Sequence, residues 1–282
     1  MPQTIHVAHS PDSDDAFMFY ALAEGLIDTG DLRYEHELSD IESLNRRALN
    51  GELEVSAVSI HAYAYLWRSY ALLDSGSSMG DGYGPRLVAR EPAPADAQAA
   101  LRGKRVAVPG KFTTAYLALQ LYQPDLEPVV MAFDTIEDAV AAGEVDVGLL
   151  IHEGQLTFQD QGLHLWQDLG EWWMNDTGLP LPLGGNVVRR DLGPKVVAQV
   201  ARDLRASIEY ALAHRAPALE HAARFNRGIG AERTDTFVGM YVNDWTVSYG
   251  ERGRQAVRLL LDRAWAAAII PERVEVEFID ER

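Results

Sequence analysis

Apolar residues recur along this chain in two alternating rhythms. Short runs such as "TIHVAHS", "LEVSAVSI", "RVAVPG" and "DVGLLI" are continuous or alternate residue by residue, as strands do. Between them, "DDAFMFYALAEGL", "IESLNRRALNG", "TTAYLALQLY" and "IEDAVAAGE" repeat at helical spacing, some opening on acidic residues, one closing on glycine. "HAYAYLWRSYALL" reads either as one helix or as a helix followed by a short strand. Strand and helix in alternation predict βαβ units and mostly parallel sheets. A glycine-rich loop, "SGSSMGDGYGP", and a short strand, "RLVAR", lead into the proline- and alanine-rich "EPAPADAQAALRGK", the best candidate boundary. A second α/β series then runs to "LPLGGNVVRRDL". From Gly193 onward the pattern becomes long and helical, in "PKVVAQVARDLRASIEYALAH", "TDTFVGMYVND" and "ERGRQAVRLLLDRAWAAAI".

The expected architecture is α/β with two lobes, each a mostly parallel sheet flanked by helices. Residues 1–89 and 190–282 form the larger, discontinuous lobe and residues 90–189 a smaller inserted one. The chain crosses between them near residues 88–92 and 185–190, leaving a cleft of the kind that commonly binds ligands.

Composition narrows the partners. The 282 residues are 47% hydrophobic and 24% charged, as in an ordered globular chain long enough for two modest domains. A net charge of −17, with no lysine/arginine run longer than a pair, makes nucleic acid and anionic membranes poor partners. The absence of cysteine excludes disulfides, thiolate metal sites and cysteine nucleophiles. The amino terminus lacks a secretory pattern and no apolar run is long enough to cross a bilayer, so the expected compartment is the cytoplasm.

Among the histidines, His152 stands out. In "VGLLIHEGQLTF" a buried-type strand delivers it to the carboxyl end, where open α/β sheets place ligands, beside Glu153 and before a glycine. An imidazole there suits a general base, and equally a polar residue that merely ends a strand. "VPGKFTTAYLAL" turns on a glycine and enters a helix through Thr113 and Thr114. That arrangement offers N–H groups, hydroxyls and the positive end of a helix dipole to a carboxylate or phosphate, or simply an N-cap. In "HSPDSDDAF", Asp12, Asp14 and Asp15 read as cation ligands, as helix-capping acids, or as acceptors for substrate hydroxyls. Trp172 and Trp173 suit ligand stacking or core packing. Gly184 and Gly185, with Gly80, Gly82 and Gly84 opposite, suit hinges. No GxxxxGK[ST] or GxGxxG pattern occurs, which removes support for nucleotide cofactors.

Six longer stretches carry a family resemblance: "HSPDSDDAFMFYAL", "LNRRALNGELEVSAVS", "SGSSMGDGYGP", "VAVPGKFTTAYLAL", "GLLIHEGQLTF" and "DLGEWWMNDTGLPLPLGGNVVRRDLG". Over nearly its whole length the chain resembles the 1,4-dihydroxy-6-naphthoate synthases of the futalosine route to menaquinone. The resemblance implies a fold similar to type II periplasmic solute-binding proteins. It also implies a cofactor-free, metal-free cleavage of cyclic dehypoxanthinyl futalosine, a small carboxylate. His152 matches the family's proposed proton acceptor. Thr114 and Ala115, with Thr113 before them, match one ligand-binding segment, and Ala57, Val58 and Ser59 the other. Asp15 and Asn45 fall at positions that resemble cleft-lining ones. Two departures stand out: Ala57 where the family usually has lysine, and Asp12-Ser13-Asp14 where it usually has Cys-Pro-Asn. They point to a sister group with an altered substrate, unless Arg46, Arg47 or Lys111 replaces the missing cation. Competing functions are an intracellular binding protein for a small carboxylate and a related enzyme, such as a chorismate dehydratase.

Overall fold

Ile5, Val7 and Ala8 carry the first strand, β1 (Gln3–His9), into the interior, and at Ser10 the chain leaves it for the helix Ser13–Met18. These coordinates come from a computed structural model that describes residues 3–225 and 230–280. The remaining strands are β2 (Leu32–Leu38), β3 (Val55–Ser59), β4 (Tyr70–Leu73), β5 (Ser78–Gly80), β6 (Arg86–Ala89) and β7 (Arg105–Val108). They continue with β8 (Glu127–Val130), β9 (Val147–Leu150), β10 (His164–Asp168), β11 (Leu181–Arg189) and β12 (Phe278–Ile279).

Among the described residues they form two sheets. A seven-stranded sheet has the order β12-β4-β11-β3-β1-β2 with β5 also on β11, and a five-stranded sheet has the order β10-β6-β9-β7-β8. The two-lobed α/β architecture is as expected, with two refinements. First, the sheets are mixed rather than mostly parallel. β1 runs parallel to β2 and β3, and β7 to β8 and β9, but β11 is antiparallel to β3, β4 and β5, and β6 to β9 and β10. The strands nearest the crossings meet their sheets from the opposite direction. Second, β6 already pairs in the smaller sheet and β11 in the larger one, so by strand pairing the crossings fall at 81–85 and 178–180. The expected boundaries, 89/90 and 189/190, lie several residues later. The stretch 91–96 that suggested the first of them is exposed surface loop within the smaller lobe; its composition reports exposure, not lobe membership.

Three apolar clusters hold this frame. One fills the faces of the larger sheet and smaller sheet that meet behind the cleft, with Val58, Tyr63 and Leu72 on one side and Leu87, Leu119 and Trp173 on the other. A second packs Phe17, Leu73, Leu204 and Val238 under the long helix Pro194–Ala213 and the helix Ala231–Tyr241. The third packs Val88, Ala107, Ile136 and Leu150 on the far face of the smaller sheet. "HAYAYLWRSYALL" resolves into the helix Ile60–Leu66 and then β4, and "DDAFMFYALAEGL" breaks at Phe19 into two short helices. No helix among the described residues is long and apolar enough to cross a membrane.

Candidate active site

The carboxyl ends of β1, β3, β7 and β9 open on a cavity of about 780 Å³, mouth included, between the lobes. The larger lobe contributes Ser10, Asp12, Asp14, Asp15, Ala57, Val58, Ser59 and the β11 segment 184–186; the smaller contributes Thr113, Thr114, Ala115, Ile151 and Gln155. Strand ends collect ligand sites because helices begin there with their first N–H groups unbonded.

Both threonine hydroxyls are committed to protein. Thr113 is the N-cap of the helix Thr114–Tyr122: its Oγ1 accepts from Tyr116 N at 3.2 Å and donates to the Gly110 carbonyl at 2.9 Å. Thr114 joins the lobes, since Oγ1 donates to the Leu183 carbonyl at 2.5 Å and accepts from His61 N at 3.1 Å. What the helix still presents to the cavity is therefore the backbone N–H of Thr114 and of Ala115 at its positive end.

Ser59 faces this helix from the end of β3, and Asn45 sets it in place. Asn45 is fully buried and does not line the cavity; its Oδ1 accepts from Ser59 N at 2.9 Å and its Nδ2 donates to Ser59 Oγ at 3.1 Å. With that acceptor site filled, the Ser59 hydroxyl proton is available to a ligand. Replacing Asn45 by alanine strands a buried N–H, and we expect a loss of roughly 1–3 kcal/mol in stability, read by denaturant unfolding, together with weaker ligand binding.

No lysine or arginine lines the cavity among the described residues. The cation missing at Ala57 is not restored: Arg46 pairs with Glu42, Arg47 pairs with Glu37 and Glu52, and Lys111 is not on the wall. Any anion bound in the cavity would therefore meet neutral donors.

The opposite character prevails at the β1 end, where Asp12, Asp14 and Asp15 all line the cavity. Asp15 Oδ2 accepts from Ser10 N at 2.7 Å and Asp12 Oδ2 from Ser10 Oγ at 2.5 Å, while Ser13 reaches across to donate to Glu153 Oε1 at 3.1 Å. Burial raises the Asp15 carboxyl to about 7, helped by Asp12 and opposed by the Ser10 N–H. Burial, then Asp15, Asp12 and Glu153, push Asp14 well above the usual carboxylate range. Asp12 is the residue before the helix but makes no side-chain cap bond, so capping does not explain these acids. Among the described residues no group of three or more histidines and acids has metal-holding geometry.

A raised carboxyl has a definite sign in stability. The unfolded chain ionises Asp15 near pH 3.9 and the folded one near 7, so this group's penalty is absent below the first value, grows between them and is constant above the second. Asp15→Asn should raise the melting temperature at pH 8 and change it little at pH 4. The variant must be compared with wild type at each pH, because His9, lowered to about 3 by burial and by His36, destabilises the fold in the other direction as pH falls below 6.5.

His152 lies just past β9, nearly buried, with its ring edge-on to Phe133 at 5.1 Å between centroids. It is not part of the cavity wall; its neighbours Ile151 and Gln155 are. Trp173 is core, its Nε1 donating to the Pro180 carbonyl, and Trp172 packs on Tyr122 rather than on the cavity. Gly184 and Gly185 sit in the β11 ladder opposite Ser59 and Val58, a paired strand rather than a hinge. Gln155, Asn186 and Tyr241 also line the cavity and were not anticipated. A signal for Asn186 existed, a lone amide inside the apolar strand "GGNVV"; Gln155 and Tyr241 had none.

The sequence pattern of a family described as menaquinone biosynthesis matches residues 5–266. The chain belongs to the menaquinone biosynthesis family. It is 41% identical over 267 residues to a 1,4-dihydroxy-6-naphthoate synthase of Thermus thermophilus, covering 95% of this chain and 96% of that one. A protein of the same name from Streptomyces coelicolor is 40% identical over 278 residues, 95% of each chain. The crystal structure of a protein from Archaeoglobus fulgidus superposes with a TM-score of 0.90 at 49% identity, covering 95% of this chain and 98% of its own. Outside the menaquinone biosynthesis family, an alkanesulfonate-binding protein of Xanthomonas axonopodis shares the fold, with a TM-score of 0.71 at 14% identity over 97% of this chain and 96% of its own.

Proposed function

We propose that this protein is a lyase of menaquinone biosynthesis that converts cyclic dehypoxanthinyl futalosine to 1,4-dihydroxy-6-naphthoate. The observation that carries the reading is identity of 40–41%, nearly end to end, with two synthases of that name. The cleft is consistent with it. The substrate carboxylate docks on the N–H groups of Thr114 and Ala115 and the Ser59 hydroxyl, with Ala57 and Val58 forming the apolar floor. A base removes a proton, carbon–carbon and glycosidic-type bonds to the sugar-derived fragment break, and the electrons left behind complete an aromatic ring. Aromatisation supplies driving force, so the protein's tasks are a base, orientation and exclusion of water. The enzyme works in the cytoplasm on this small molecule without a cofactor.

His152 is the base in this reading. Its ring reaches the substrate by turning about its Cα–Cβ bond from Phe133 toward the cavity, a motion that ligand binding and lobe closure drive. A second reading assigns the base to Asp15, favoured by its place on the wall and its carboxyl near 7. Turnover followed by mass spectrometry in His152→Ala and Asp15→Asn separates them. Under the first reading only His152→Ala abolishes product; under the second, Asp15→Asn abolishes it and the rate in wild type rises with pH through about 7.

A further inference from the structure

Asn186 and Gln155 each leave half of an amide unmet at the cavity wall. Asn186, on β11 opposite Ala57 of β3, is 1% exposed. Its Nδ2 donates to the Gly76 carbonyl at 2.9 Å, whereas Oδ1 has no partner among the described residues. Turning the amide over would set Oδ1 against that carbonyl, so the acceptor end is fixed. Gly76 makes the approach possible: at φ +86 a Cβ there would stand 2.3 Å from Asn186 Nδ2.

Gln155 comes from the other lobe, on the turn that begins at His152, whose carbonyl accepts from Gln155 N at 2.9 Å. It too is 1% exposed. Its Oε1 accepts from the Tyr241 hydroxyl at 2.8 Å, and Nε2 has no partner among the described residues. Reversing this amide would leave the Tyr241 proton without its acceptor, so Nε2 is the free donor.

Buried polar atoms in folded proteins are almost always hydrogen-bonded, because burial without a partner is costly. Here one acceptor and one donor, each immobilised through its other half, stand on opposite lobes of one cavity. A hydroxyl meets both demands, since it donates to Oδ1 and accepts from Nε2. A carboxylate suits Nε2 but is repelled by Oδ1, and an apolar group leaves both amides unmet. We infer that Asn186 and Gln155 are specificity-determining residues that read the hydroxyl-bearing part of the ligand, while its carboxylate lies at the Thr114 helix. The inference rests on the lyase reading for the choice of probe, the sugar-derived portion of cyclic dehypoxanthinyl futalosine.

The test is isothermal titration of wild type, Asn186→Ala and Gln155→Ala with cyclic dehypoxanthinyl futalosine and with analogues in which one hydroxyl at a time is replaced by hydrogen. Turnover is followed in parallel. Wild type should bind at least one deoxy analogue tenfold or more weakly than the parent. Each variant should lose that discrimination, binding the parent tenfold or more weakly but that analogue as wild type does. Equal affinity of wild type for parent and all analogues would overturn the inference, as would variants that weaken parent and analogues by the same factor, the mark of a purely structural role. If an alanine variant does not fold, Asn186→Ser or Gln155→Glu takes its place, and the wild-type comparison decides by itself whether a hydroxyl is read. Discrimination without turnover would overturn the lyase reading alone; no binding of the parent would overturn both.

Discussion

His152→Ala protein is expected to form 1,4-dihydroxy-6-naphthoate on the order of 10²–10⁴-fold more slowly than wild type, the usual contribution of a positioned base. The loss should fall on kcat. His152 is not on the cavity wall, and the groups proposed to bind the carboxylate, Thr114 N–H, Ala115 N–H and the Ser59 hydroxyl, are untouched by the substitution. Binding measured by calorimetry should therefore change little. Phe133→Ala makes the companion test, because it removes the ring that His152 packs against. Because the imidazole leaves Phe133 to act in the proposed reading, that variant is expected to retain substantial activity; activity that falls with the lost packing would contradict the turning motion.

Thr114→Val carries the second large effect, on stability and binding together. Valine keeps the shape but removes the hydroxyl that ties the smaller lobe to the Leu183 carbonyl and the His61 N–H of the larger. Both partners are then left unmet, and the expected cost is roughly 2–5 kcal/mol in unfolding free energy. Thr114→Ser restores the bonds and should recover most of it. Thr113→Val removes an N-cap and should cost less, about 0.5–2 kcal/mol. Because the Thr114 bonds fix the helix end against the cavity, Thr114→Val should also weaken ligand binding at temperatures where the variant is folded. Denaturant unfolding at fixed pH, paired with calorimetry, reads both effects.

Much of this was legible in the sequence, and the reasons differ from residue to residue. Strand and helix rhythm predicted two α/β lobes because burial imposes periods of 2 and about 3.6 on side chains. Lobe membership of β6 and β11 was not legible, since pairing is set by distant strands: Arg86 finds Leu150, and Val188 finds Val55 and Ala71. Glycine-threonine at a helix start announced the Thr113 cap, but not that Thr114 would bond across the cleft to Leu183, a contact between residues 69 positions apart. Asn45 was picked out as a cleft-lining position, whereas the structure places it one layer behind, holding Ser59. The aspartates offered three readings in the sequence; the structure puts all three on the cavity wall and gives Asp12 no cap bond, a placement that strand and helix rhythm alone could not specify.

The most direct test is a single incubation of purified wild-type protein with cyclic dehypoxanthinyl futalosine, followed by mass spectrometry. Appearance of 1,4-dihydroxy-6-naphthoate together with the sugar-derived fragment, without added cofactor, is the predicted result. Tight binding of an intact substrate that is never cleaved would contradict it, and would leave a carboxylate-binding protein in its place.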